Sequence, residues 1–126
     1  MAGSDFAGAF AALKPVLERH AERLTVTADS TEGYSVSTRT PSPFPQHAGE
    51  PLFFGAVRVG KAYVGFHLMP IYMCPELSGK ITPALKKRMQ GKSCFNFKTP
   101  PDSALLAELT SLTDAAVDLW SSKKWL

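Results

Sequence analysis

Residues 51–69 read PLFFGAVRVGKAYVGFHLM, two apolar runs rich in β-prone side chains that meet at Gly60. Two such runs joined through a glycine form the pattern of a β-hairpin with a tight connection. Along the second run, period-two alternation puts Ala62, Val64, Phe66 and Leu68 on one face and Tyr63, Gly65, His67 and Met69 on the other. The first set is expected to meet helices. The second set is expected to face away from them.

A second hairpin precedes this one. LTVTA (24–28) and YSVSTR (34–39) alternate apolar with small polar residues, and DSTEG between them supplies turn chemistry. Upstream, Phe6, Phe10, Leu13, Leu17 and Leu24 recur at helical spacing, which predicts an amphipathic helix over 5–23. Pro15 interrupts that pattern, and predicts either a kink or a second helix beginning at the proline. Downstream, Thr82 and Pro83 open a short helix in which Leu85 and Met89 point inward, and Gly91 suits its end. Ser93 to Lys98 reads as a fifth strand with Phe95 and Phe97 turned to the core. Leu105, Leu109, Leu112, Ala116 and Leu119 line one stripe of a closing helix. The Pro-rich TPSPFPQHAGEP at 40–51 reads as a loop.

The fold class expected is α+β: a curved antiparallel sheet of about five strands, with N- and C-terminal helices packed on one face. The 126 residues are the length of one ordinary domain, taken as 1–126. With 44% hydrophobic and 20% charged residues, such a chain can bury a core without disulfide staples. No apolar stretch reaches the roughly 20 residues a bilayer crossing needs. MAGSDFAGAFAAL lacks a basic leader and carries Asp5, so it reads as the start of a helix and not as a secretion signal. The expected compartment is the cytoplasm.

Charge is small in total, at +3, but uneven. Lys80, Lys86, Lys87, Arg88, Lys92 and Lys98 fall in one stretch without an acid, while the closing helix carries Asp102, Glu108, Asp114 and Asp118. Neutralisation of one run by the other is expected. The sharper alternative is a phosphate- or nucleic-acid-binding patch at Lys86, Lys87, Arg88 and Lys92. Aromatics alternate with polar residues in GKSCFNFK (91–98), but two hairpins in succession do not supply the β-α-β-β-α-β order of an RNA-recognition motif.

Catalytic constellations are scarce. No G-x-S-x-G, Gly-rich phosphate loop or H-E-x-x-H is present. Cys74 and Cys94 have neither the C-x-x-C nor the His spacing of a zinc or thioredoxin motif, and free thiols are expected. His20, His47 and His67 are remote from Cys94 in sequence, so a Cys-His pair requires folding to assemble it. His67, Met69, Met73 and Cys74 gather soft donors within eight residues, which suggests a copper or iron chaperone through His67, Met73 and Cys74 as one alternative.

The segment from PLFFGAVRVGKAYVGFHLMPIY through GKSCFNFK and the following helix resembles a bacterial YdhG-like family of unknown function, over roughly residues 10–120. The resemblance implies a compact α+β domain with a curved sheet and a C-terminal helix. One member has been described as a frataxin-like iron chaperone, so iron delivery is an implied activity. The acidic ridge of such proteins has no counterpart here, since Glu18 and Glu22 alternate with Lys14, Arg19 and Arg23, and no iron-binding residue carries over.

The resulting expectation is a non-enzymatic module that binds a small ligand or a protein partner on the open sheet face around Phe53, Tyr63, His67 and Tyr72. No cofactor, no resident metal and no membrane contact are implied. Homodimerisation through the same face is expected, because a contiguous apolar patch on a free sheet surface tends to be covered.

Overall fold

The computed structural model describes residues 5–41, 50–89 and 94–125, apart from the side chains of 40, 41 and 78. Five strands run β1 Thr25–Asp29, β2 Gly33–Pro41, β3 Pro51–Val59, β4 Val64–Leu68 and β5 Cys94–Phe97. They form one antiparallel sheet in sequence order, β1-β2-β3-β4-β5. The sheet does not close on itself. Register shifts between Val26 and Ala28 and between Val36 and Ser37 insert irregularities that bend and twist the strands.

Helix α1 (Phe6–Glu18) and helix α4 (Ser103–Ser122) lie on one face. Between them sit two short helices, α2 (Met69–Met73) and α3 (Pro83–Lys86), and 3₁₀ turns at Ala21–Arg23 and Pro75–Lys80. A single cluster joins Phe10, Leu13 and Leu17 of α1 to Val57, Phe66, Leu68, Phe95 and Phe97 of the sheet and to Leu109, Leu112 and Trp120 of α4. The expected fold class is the observed one. Phe95 and Phe97, 0% and 1% exposed, are core residues on the helix side.

Helix α1 begins where the Asp5 carboxylate accepts the Gly8 N–H at 3.0 Å. Its first end is tied to β5, since the Asp5 N–H donates to the Lys98 carbonyl at 2.7 Å. Lys14 reaches Asp29 of β1 at 2.9 Å. A helix of 13 residues is about 20 Å long, close to the about 19 Å width of five hydrogen-bonded strands, so α1 can span the sheet from one edge to the other. Pro15 neither ends this helix nor starts another. Ala11, whose carbonyl the proline cannot bond, and Pro15 itself are on the exposed face, where water can take the place of the missing amide.

Helix α4 is capped by Asp102, which accepts the Leu105 N–H at 2.7 Å. Its buried stripe is Leu105, Leu109, Leu112, Thr113, Ala116, Val117 and Trp120. Leu119, expected in that stripe, is only half-buried, and Trp120 takes the central place instead. The Trp120 indole packs edge-on against Phe54 at 5.3 Å and Trp125 at 5.8 Å. The two terminal helices are clasped by Asp114, which meets His20 at 2.7 Å and Arg19 at 3.6 Å.

The second hairpin turns later than the sequence pattern suggests. The Gly60 N–H donates to the Tyr63 carbonyl at 2.9 Å, closing a turn over Gly60–Tyr63, and β4 begins only at Val64. Ala62 is therefore exposed in the turn instead of meeting the helices. Val64, Phe66 and Leu68 are buried as expected, each 0% exposed. Thr82 caps α3 by accepting the Leu85 N–H at 3.2 Å, and Leu85 is 0% exposed. Most of the loop at 40–51, including His47, and Gly91, Lys92 and Ser93 lie outside the described residues.

Candidate functional site

The strand register sets two rows of side chains across the face opposite the helices. One row runs Ser35, Ala56, His67, Cys94; the next runs Gly33, Arg58, Gly65, Asn96. Small residues make the floor: Ser35 and Ala56 are buried, and Gly65 has no side chain at all. His67, Cys94 and Asn96 stand around Gly65. The His67 Nε2 lies 3.6 Å from the Cys94 Sγ, and the Cys94 thiol donates to Asn96 Oδ1 at 3.4 Å. Folding thus assembles the Cys-His pair that no sequence spacing announced. Adjacent antiparallel strands, in register at His67 and Cys94, bring them together.

Both groups are neutral near pH 7 for a physical reason. Burial, with the positive charge of Arg58 second, holds the His67 imidazole below its ordinary value. Burial pushes the Cys94 thiol up. A thiolate-imidazolium ion pair, the activated form of a cysteine nucleophile, is disfavoured on both sides. The resting state is a thiol beside an imidazole with a free lone pair.

Asn96 also borders a shallow depression of about 410 Å³, shared with Tyr63, Lys87, Arg88, Met89 and Lys98. Its far wall exists because the chain after α3 runs alongside β5: the Asn96 N–H donates to the Arg88 carbonyl at 2.8 Å, and Met89 bridges Phe95. Among the described residues, none of Lys87, Arg88 and Lys98 is in an ion pair. No described ion pair joins the basic run to α4, although Lys80, Lys87 and Arg88 share grooves with Asp102 or Glu108. Asp114 is committed to Arg19 and His20 instead, and Lys123 at the end of α4 pairs with Glu76. Two other grooves, of about 490 and 440 Å³, run along α4, but each mixes signs, with Lys80 beside Glu108 in one and Lys87 and Arg88 beside Asp102 and Glu108 in the other.

The structure separates the residues singled out from the sequence. Tyr63 borders the basic depression, while His67 stands two rungs away with Cys94, and Asn96 links the two. Phe53 is half-buried near the other end of β3, paired with Ser37, and Tyr72 is 59% exposed on α2; neither borders the depression. Lys86, Lys87 and Arg88 are all exposed, and Lys92 is outside the described residues. Cys74 is 1% exposed in the core and interacts with the Trp120 indole, on the other side of the sheet from His67. The grouping of His67, Met73 and Cys74 is thus not formed: the cysteine belongs to the core and the histidine to the far face. Sequence reasoning reached Cys94 only as half of a Cys-His pair left for folding to assemble, and passed over Asn96 and Arg58 as site residues. The signal was present in the CFNF strand, where burying Phe95 and Phe97 obliges Cys94 and Asn96 to face the other way.

Among the described residues, large exposed apolar side chains form no contiguous patch on the far face. Among the described residues only Val26 and Tyr72 are large, apolar and exposed, and they sit on different elements. No described helix is long and apolar enough to cross a membrane. Comparison with family profiles, curated proteins and solved structures returns no match, so function has to be argued from this geometry alone.

Proposed function

We propose that this chain is a YdhG-like, non-enzymatic cytoplasmic binding module whose far sheet face takes a small anionic molecule in the depression beside Tyr63. The observation that carries the reading is the convergence of Lys87, Arg88 and Lys98, without an acidic neighbour on the lining, around one tyrosine and one carboxamide. A depression of about 410 Å³ is at the small end of the range that holds metabolite-sized ligands. Three cations on its rim supply attraction, the Tyr63 ring supplies an apolar wall, and Asn96 supplies directional hydrogen bonding. The neutral thiol-imidazole pair nearby argues for binding and against nucleophilic catalysis.

The test is calorimetric titration of metal-free protein with inorganic phosphate, pyrophosphate and a tricarboxylate. Saturable uptake of at least one of them is expected, weakening as salt rises and lost in the Arg88→Glu, Lys98→Glu double variant with its circular dichroism unchanged. Uptake indifferent to both charge reversals, or no uptake of any of the three, overturns the reading. Nucleic-acid binding through Lys86, Lys87 and Arg88 is the second reading, favoured by the exposure of all three. It requires affinity that grows with oligonucleotide length and falls steeply with salt.

A further inference from the structure

We propose that Cys94, His67 and Asn96 form a site for one thiophilic d¹⁰ cation, zinc(II) in the first instance, held over Gly65. Three observations bear on it. The first is donor identity. A thiol, an imidazole nitrogen and a carboxamide oxygen converge on one spot, and sulfur with imidazole is the pair that borderline and soft cations such as zinc and copper(I) prefer over hard ones.

The second is spacing. Around a tetrahedral zinc, a sulfur at about 2.3 Å and a nitrogen at about 2.0–2.1 Å are separated by about 3.5 Å, and sulfur and oxygen by about the same. The observed separations are 3.6 Å from Cys94 Sγ to His67 Nε2 and 3.4 Å from Cys94 Sγ to Asn96 Oδ1. These donors already stand at metal-spanning distances, on two strands whose register is fixed by the ladder.

The third is space. A side chain on Gly65 would place its Cβ 3.6 Å from the Cys94 Sγ, 3.6 Å from the His67 Nε2 and 3.9 Å from the Asn96 Oδ1, its three nearest heavy atoms. The glycine thus leaves a volume bounded by the three donors.

Binding replaces the thiol proton: Cys94 S–H and the dication give a Cys94 thiolate bonded to the metal and a proton released to solvent. His67 donates the lone pair of its neutral ring, Asn96 supplies an oxygen, and water fills the fourth position. No third His, Cys, Asp or Glu joins the pair among the described residues, and Arg58, cross-strand from Gly65, opposes a cation. The site is therefore expected to bind more weakly than a closed four-ligand zinc site. It differs from anion binding in the neighbouring depression, which is measured on metal-free protein, so either proposal can fail without the other.

The experiment is titration of the reduced full chain with cobalt(II) as a spectroscopic stand-in, followed by displacement with zinc(II). A thiolate-to-cobalt charge-transfer band saturating at one equivalent is expected, bleached by zinc, together with protection of Cys94 from a thiol-reactive disulfide reagent. Cys94→Ser should abolish the band. His67→Gln should weaken zinc uptake by more than about tenfold, the range over which even outer partners of a metal site act. Cys74→Ser should leave uptake as it was. Gly65→Ala, which keeps all three donors and meets only ordinary contacts, should weaken uptake by filling the volume. Absence of the charge-transfer band, zinc uptake unchanged by Cys94→Ser or His67→Gln, loss of uptake in Cys74→Ser, or full uptake in Gly65→Ala each overturns the proposal.

Discussion

Two glycines on neighbouring strands of the same sheet should respond to the same substitution with opposite signs. Gly55 of β3 lies under α1: a Cβ there would be 2.9 Å from the His67 carbonyl oxygen and 3.0 Å from Leu17 Cδ2. Neither neighbour yields easily, because the carbonyl belongs to the backbone of β4 and Leu17 is 0% exposed in the core. Forcing one methyl into such a contact costs about 1–3 kcal/mol. The smaller conformational freedom of alanine in the unfolded chain returns about 0.4–1 kcal/mol, so at mid-range Gly55→Ala is destabilised by about 1 kcal/mol. Gly65, on the far face, meets nothing closer than 3.6 Å, and neither glycine has a positive φ. Gly65→Ala should therefore be stabilised by about 0.4–1 kcal/mol. For a chain of this length each kcal/mol moves Tm by roughly 3–5 °C. Thermal melts and urea titrations with unchanged m-value would read both. A Gly55→Ala protein as stable as the parent, or a Gly65→Ala protein as destabilised as Gly55→Ala, would refute the assignment of the two faces.

Two further outcomes are expected. Thr38, 0% exposed, accepts the buried Leu52 N–H at 2.9 Å where the β2-β3 ladder is irregular, so Thr38→Val should cost about 1–3 kcal/mol in urea denaturation while Thr38→Ser retains most of the stability. The stability profile should also have two pH limbs, an acid one from His67 and an alkaline one from the two thiols. The unfolded chain takes up a proton at His67 that the fold resists, so stability is intact above about 6.5 and drains as pH falls below it, and His67→Gln should flatten that limb. At the other end, the unfolded Cys94 thiol ionises before the folded one, so stability falls as pH rises beyond about 9.0; Cys94→Ser removes part of that loss, Cys74 contributing the rest of the thiol share. Urea midpoints across pH decide both, and an acid limb unchanged by His67→Gln would contradict its burial.

Periodicity alone specified the layers of this protein. Val64, Phe66 and Leu68 face one way because a strand has period two, and Leu105, Leu109, Leu112 and Ala116 share a stripe because a helix has period 3.6; solvent then decides which side is covered. The Thr82-Pro83 opening of α3 was legible for a similar reason, since capping is local chemistry between residues three apart. What the sequence did not announce depended on partners distant along the chain. Whether Pro15 would break α1 turned on whether Ala11 faced water. Whether Trp120 or Leu119 would enter the core turned on Phe54 and Trp125. Above all, Cys94 and His67, 27 residues apart, became neighbours only because β5 pairs with β4 in one register and not in the next. A shift of β5 by one residue would have turned Cys94 to the helix side and left His67 without it, and no local propensity fixes that choice. It is made by the packing of Phe95 and Phe97 beneath them.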